Sequence, residues 1–243
     1  MKRLIKITLC GLMVAGLSPS LLAENTASSK PARASSGAGQ NAAPIPLDQI
    51  GAVAQKQYSG DGLSVTAMKD GALLRCVFQR MNARATAEGL WITSTTDKAQ
   101  GQPFRVMACT VGRGNGETLS PSGMVEMADE LVRFGRPGLT EEYSVSMDGV
   151  RQDFVIAERP AGTGQLRVEL AVDGAKVEPL ADGARLVLVD GGRKIAYTRL
   201  QAVDAAGKKL VAKLEVLAVN RLAVVLDDAA AEYPVRIDPT FSD

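Results

Sequence analysis

The sequence predicts an all-β fold, an antiparallel β-sandwich built from hairpins, with a short N-terminal helix and a disordered leader-linker ahead of it. Three observations lead there. From Leu63 onward apolar and polar residues alternate at a period of two, in short runs that suit half-buried strands. Asp-Gly recurs at Asp70-Gly71, Asp148-Gly149, Asp173-Gly174, Asp182-Gly183 and Asp190-Gly191, the dipeptide that tight hairpin turns favour. The stretch from Ala231 to Phe241 carries Val235 and Ile237 in alternation with Arg236, flanked by Pro234 and Pro239. Proline cannot donate to a ladder, so this closing strand is expected to keep its prolines at an edge or just outside one.

Taken in order, Met1 to Ala23 reads as a secretory signal peptide: Lys2, Arg3 and Lys6 form a basic start, Ile7 to Leu17 an apolar stretch and Leu21-Leu22-Ala23 a cleavage site. The apolar stretch is short for a membrane span, and membrane contact is expected only during export. Cys10 follows Leu9, which is bulky where a lipoprotein site needs a small residue, so no lipid anchor is read here. The expected destination is extracellular, cell-surface or periplasmic. Glu24 to Pro46 is rich in small and polar residues and cannot bury enough surface to offset its ordering entropy, which makes it a linker. Leu47, Ile50, Val53 and Ala54 then fall at helical spacing, giving a short amphipathic helix to about Gln57.

The β-region spans residues 47–241. Its strand-like runs are Leu63 to Ala67, Ala72 to Phe78, Leu90 to Thr95, Phe104 to Val111, Met124 to Ala128, Leu131 to Phe134, Tyr143 to Met147, Phe154 to Ile156, Leu166 to Leu170, Leu186 to Val189, Leu210 to Val219 and Leu222 to Leu226. With no helical period between them, they argue against an α/β fold. Gly135-Arg136-Pro137-Gly138 is either a boundary between two subdomains, 47–135 and 138–241, or a surface loop inside one body.

Composition narrows the chemistry. The chain has no histidine, which removes the commonest general base and metal ligand. Three cysteines, one of them in the leader, cannot build a cysteine-rich zinc site. The 28 basic and 27 acidic side chains give no nucleic-acid footprint. No cofactor or metal is expected. Gly112-Arg113-Gly114-Asn115-Gly116 lacks the helix and Gly-Lys-Ser/Thr of a phosphate loop and reads as a hairpin. No Gly-x-Ser-x-Gly elbow occurs. Acids cluster at Glu126, Asp129 and Glu130, at Glu141-Glu142 and at Asp227-Asp228; two of them could run a glycosidase, but solvated strand faces are the simpler expectation. Trp91, within Leu90-Trp91-Ile92, reads as sheet packing or as a ligand-contacting aromatic. Cys76 and Cys109 are either bridged in the oxidising compartment or two buried thiols. No catalytic residue is singled out.

Tyr233-Pro234-Val235-Arg236-Ile237-Asp238-Pro239-Thr240 resembles the Tyr-Pro-Val-x-Ile-Asp-Pro-Thr signature that ends the N-terminal β-region of large secreted bacterial repeat proteins, relatives of RHS/YD-repeat and β-propeller-like repeat proteins. The stretches Gly138 to Phe154, Pro160 to Gly164 and Arg193 to Tyr197 look like other parts of that region. The resemblance implies a non-catalytic β-domain placed before long repeat arrays. Phe241-Ser242-Asp243 would then lead into repeats of the same polypeptide, and the chain is expected to be the front of a longer one. A carbohydrate-binding surface module through Trp91, with a surface glycan as partner, is the alternative, and a carboxylate-based glycosidase ranks below both.

Overall fold

The computed structural model describes Tyr58, residues 60–96 and residues 102–243. The signal peptide, the linker and the short helix before Tyr58 lie outside the described residues. Among the described residues there are seventeen strands, a single 3-10 turn at Val77–Gln79 and no α-helix. The strands are β1 (Leu63–Met68), β2 (Gly71–Cys76), β3 (Met81–Thr86), β4 (Gly89–Ser94), β5 (Arg105–Gly112), β6 (Glu117–Thr118), β7 (Met124–Ala128), β8 (Leu131–Arg136) and β9 (Leu139–Ser146). They continue as β10 (Gly149–Ile156), β11 (Leu166–Asp173), β12 (Ala175–Leu180), β13 (Gly183–Leu188), β14 (Lys194–Val203), β15 (Val211–Ala218), β16 (Arg221–Asp227) and β17 (Val235–Ser242). The fold is all-β, with antiparallel sheets built from hairpins. A four-stranded sheet runs β1-β2-β3-β4, an eight-stranded sheet β12-β13-β14-β17-β10-β9-β8-β7, and a five-stranded sheet β15-β16-β11-β5-β6.

Three of the Asp-Gly pairs have one geometry, and it is not that of a glycine inside the turn. Met68 pairs with Gly71, Ser146 with Gly149 and Leu180 with Gly183. The two-residue turns are therefore Lys69-Asp70, Met147-Asp148 and Ala181-Asp182, and each glycine opens the returning strand. Their φ values are 147°, 147° and 159°. A Cβ at these glycines would collide with the carbonyl oxygens of Ala85, Phe241 and Tyr197, each on the next strand of the sheet. Glycine is needed because a third strand approaches its backbone.

The closing strand corrects the expectation for Pro239, while Pro234 lies just outside the strand as expected. β17 lies between β14 and β10 in the interior of the eight-stranded sheet, with Pro239 inside the strand and Pro234 just before it. A β14 register shift between Thr198 and Gln201, with Arg199 at φ 57°, sits opposite Pro239. No pair forms at Pro239 on either side, so its missing N–H is not called on.

The described residues fall in one compact unit. Gly135 and Arg136 end β8 and Pro137-Gly138 is the turn to β9, with Arg136 paired to Leu139, so the chain passes it without leaving the sheet. Buried side chains from all three sheets form one cluster, including Leu74, Ile92, Phe134, Phe154, Leu170 and Ile237. The Phe241 ring stacks on Tyr197 at 4.5 Å and meets Phe104 edge-on at 6.1 Å. An isolated antiparallel pair, Ile92 with Phe104, connects β4 to the residue preceding β5.

β3, β6, β12 and β14 are strands with no counterpart among the expected runs. In β3 the buried phase is Met81, Ala83 and Ala85, whose small side chains give a faint alternation. β12 contains Pro179, and it is tolerated because β12 is an edge strand.

Candidate functional site

β9 alternates in the usual way, so Leu139, Glu141 and Tyr143 share the core face while Glu142 faces outward. That puts a carboxylate, Glu141, at 0 % exposure. A polar network has assembled around it. Arg136 donates from Nη2 to Glu141 Oε1, and from Nη1 to the carbonyls of Ala108 at 2.8 Å and Ser120 at 3.1 Å. Tyr143 donates its hydroxyl to Glu141 Oε2 at 3.1 Å, and Gln152 Nε2 donates to the same oxygen at 2.6 Å and to Val106 O at 2.8 Å. Tyr197 closes the chain by donating to Gln152 Oε1 at 3.0 Å. The Arg136 guanidinium stands 4.8 Å over the Phe134 ring, and its Nε is buried without a hydrogen-bond partner. Burial pushes the Glu141 carboxyl up, against the pull of Arg136, Gln152 and Tyr143. Because Ala108 and Val106 belong to β5 and the other side chains to the eight-stranded sheet, the network ties two sheets together.

On the opposite face of the same strands runs a ladder of alternating charge. Arg133 Nε donates to Glu142 at 2.8 Å, Arg236 bridges Glu142 at 2.7 Å and Asp153 at 2.6 Å, and Arg151 joins Asp153 at 3.2 Å to Asp238 at 3.0 Å. Burial works against the charge of Glu142, but the hydrogen bonds from Arg133 and Arg236 outweigh it and hold the carboxyl below its ordinary range. Burial and the neighbouring Asp153 push Asp238 up to about 6.

A third cluster pins the loop after β10. Asp228, 1 % exposed, accepts from Arg113 at 2.6 Å, from Arg159 at 3.1 Å and from the Tyr233 hydroxyl. Arg113 also reaches the carbonyls of Pro160 and Gly164, and Arg159 that of Ala231 at 2.8 Å. Burial opposes the Asp228 charge, but these partners hold its carboxyl low. A groove of about 480 Å³ opens beside this cluster, lined among others by Glu117, Thr140, Glu158, Arg159 and Pro160.

The candidate residues from the sequence are distributed as follows. Glu126, Asp129 and Glu130 are exposed on β7 and its turn, as expected of solvated acids, and Asp227 is exposed at the end of β16. The same expectation is corrected for Glu141, Glu142 and Asp228, which are buried because arginines reach each of them. Gly112 to Gly116 forms the β5–β6 connection. Cys76 on β2 and Cys109 on β5 are free thiols in different sheets; Cys76 Sγ donates to Ser146 O at 3.3 Å and Cys109 Sγ to Glu169 O at 3.2 Å. The alternative with a bridge between them is not the one formed. Burial pushes the Cys76 thiol up to about 11 and also raises that of Cys109, which leaves neither poised as a nucleophile.

Trp91 is half-buried on β4. The Arg105 guanidinium sits 4.4 Å from its ring centre, itself held by Asp173 at 2.7 Å. A groove of about 400 Å³ also borders the indole, lined by Arg84, Thr86, Glu88, Thr93 and Pro103.

The core network was not anticipated, although its trace is in the sequence: Glu141 and Gln152 stand in phase with the apolar residues of their strands, Leu139 and Tyr143, Val150 and Phe154. Among the described residues no group of three or more acids or thiols is arranged to hold a metal ion. In comparison with known proteins, no protein-family model, no curated protein and no solved structure matches this chain.

Proposed function

We propose that the chain is a non-catalytic exported module, a structural and interaction domain at the front of a larger repeat-containing secreted or surface protein. The observation that carries this reading is the employment of its polar groups. The buried acids Glu141, Glu142, Asp153 and Asp228 are each bound by arginines or buried amides that join strands. They do not face one cleft as a pair of glycosidase acids would. The resembling signature is used in the same manner: Val235 and Ile237 pack in the core, Arg236 and Asp238 enter the charge ladder, and Tyr233 seals the Asp228 cluster. The proposal includes a sandwich, in which the eight-stranded sheet faces the four- and five-stranded sheets joined through the Ile92–Phe104 pair.

The test is turnover. The full chain, purified and incubated with a broad panel of glycoside, ester and peptide substrates, is expected to release no product. Hydrolysis abolished by Glu142→Gln or Asp228→Asn in a still-folded protein would overturn the module reading. Secretion is tested separately by expression in a bacterium, where the exported protein should begin at Glu24.

The second reading, a carbohydrate-binding surface module, is favoured by one observation, the groove against the indole of Trp91.

A further inference from the structure

We infer that the outer face of β3 and β4 carries a binding site for a neutral pyranose-containing glycan, with the indole of Trp91 as its platform; this rests on the carbohydrate-binding reading. The strands place its parts by register. Arg84 pairs with Trp91 and Asn82 with Thr93, so these four side chains leave the sheet on the same side. Met81, Ala83, Leu90 and Ile92 take the opposite, buried side. The result is a half-buried aromatic ring in a polar field, which ordinary core packing does not produce.

Arg105 covers the ring from one side, and the groove borders it as well. Arg105 lies over the indole and is anchored by Asp173 and by the Glu88 carbonyl at 3.1 Å, yet it does not line the groove. The groove is bordered by Trp91 together with Arg84, Thr86, Glu88 and Thr93. Its volume of about 400 Å³ falls within the range of small-molecule sites.

The chemistry around the ring matches a sugar better than other small ligands. A pyranose offers a C–H face that stacks on an indole and a rim of hydroxyls that both donate and accept. Arg84 supplies guanidinium donors and is 54 % exposed, while Glu88 supplies a carboxylate and the two threonines supply hydroxyls. Thr86 donates to Glu88 at 2.6 Å, which fixes one end of this rim. Arg84 faces Asp70 at 3.4 Å and Arg105 faces Asp173, so both guanidiniums beside the ring are paired, and the Glu88 carboxylate adds a negative charge to the rim. With both guanidiniums already paired, the rim disfavours an anionic ligand and suits a neutral sugar.

Trp91 is the sole tryptophan of the chain, so the tryptophan emission of the full-length protein reports on this ring alone. The probes are cellohexaose, xylohexaose, mannohexaose and chitohexaose, each titrated to about 10 mM, the weak end of specific binding. A saturable change in Trp91 emission with at least one of them is expected, with calorimetry giving the same affinity. Arg84→Ala removes an exposed side chain and should keep the fold. It is expected to weaken that affinity about twofold or more, the lower end of what one hydrogen bond contributes. A smaller loss overturns the site, and so does calorimetric binding that survives Trp91→Ala. In those two cases the sugar binds elsewhere, and the carbohydrate reading stands without this site. No response to any of the four probes overturns both, while the module reading depends on the turnover experiment.

Discussion

Glu141 and Glu142 are adjacent in the chain and identical in chemistry, but they lie on opposite faces of β9 and behave in opposite ways. Glu141 is in the core with Arg136, Gln152 and Tyr143, and burial raises its carboxyl above the ordinary range. Glu142 is on the outer face between Arg133 and Arg236, and they lower it. The first belongs to a closed network in which each member left behind by a deletion stays buried. The second belongs to an open ladder whose arginines keep access to water, with Arg133 49 % exposed and Arg236 39 %. The lesson is that partner count does not set the value of an ion pair; the fate of the abandoned partner does.

The largest expected effect follows from the core side. Glu141→Ala strands the Arg136 guanidinium at no exposure and should cost about 3–5 kcal/mol, read from the urea midpoint at constant slope. The double variant Arg136→Met, Glu141→Leu should recover most of that loss, because it removes both charges. If the double variant is as unstable as the single one, the cost lies in packing, and the contrast between the two faces fails. On the outer face, Glu142→Ala should cost about 1 kcal/mol, since Arg133 and Arg236 can turn to solvent.

The pH dependence sharpens the same contrast. Glu141 has a folded value above its unfolded one, so its contribution to stability falls as pH rises from about 4 through the raised value. Glu142 has a lowered folded value, so its contribution is present above about 4 and lost as pH falls through the lowered one. Carboxyl NMR titration should therefore show Glu141 protonating at higher pH than Glu142. Identical titration midpoints would remove the distinction. The smallest effect concerns salt. Raising ionic strength should shrink the cost of Arg133→Ala and leave the cost of Arg136→Met unchanged, because screening reaches only the exposed pair.

Much of the fold was legible in the sequence because period-two alternation and Asp-Gly punctuation are local signals. Leu166 to Leu170 and Leu222 to Leu226, for example, are strands in the structure as read. β3 escaped because Ala83 and Ala85 carry little hydrophobic contrast. What Gly149 does was not legible, since the residue that requires glycine there is Phe241, on a strand far along the chain. The closing stretch was readable as a strand but not as an interior one. Pro239 argued for an edge, and only the bulge in β14 explains its tolerance. The Glu141-Glu142 doublet looked like solvated acid because no local rule separates an acid facing water from one facing Arg136. The phase of Glu141 with Leu139 and Tyr143 was the available clue.

The position of β17 has a consequence for how the protein is made. It pairs with β10 on one side and β14 on the other, so the eight-stranded sheet consists of two separate halves until it inserts. Until then β10 and β14 each present an unpaired edge to anything nearby, including another copy of the chain. The bonds that join the halves span long stretches of sequence and form late and slowly. Folding of this sheet is thus gated by the insertion of β17, and a chaperone that covers the two edges would serve it best in the interval before that strand pairs.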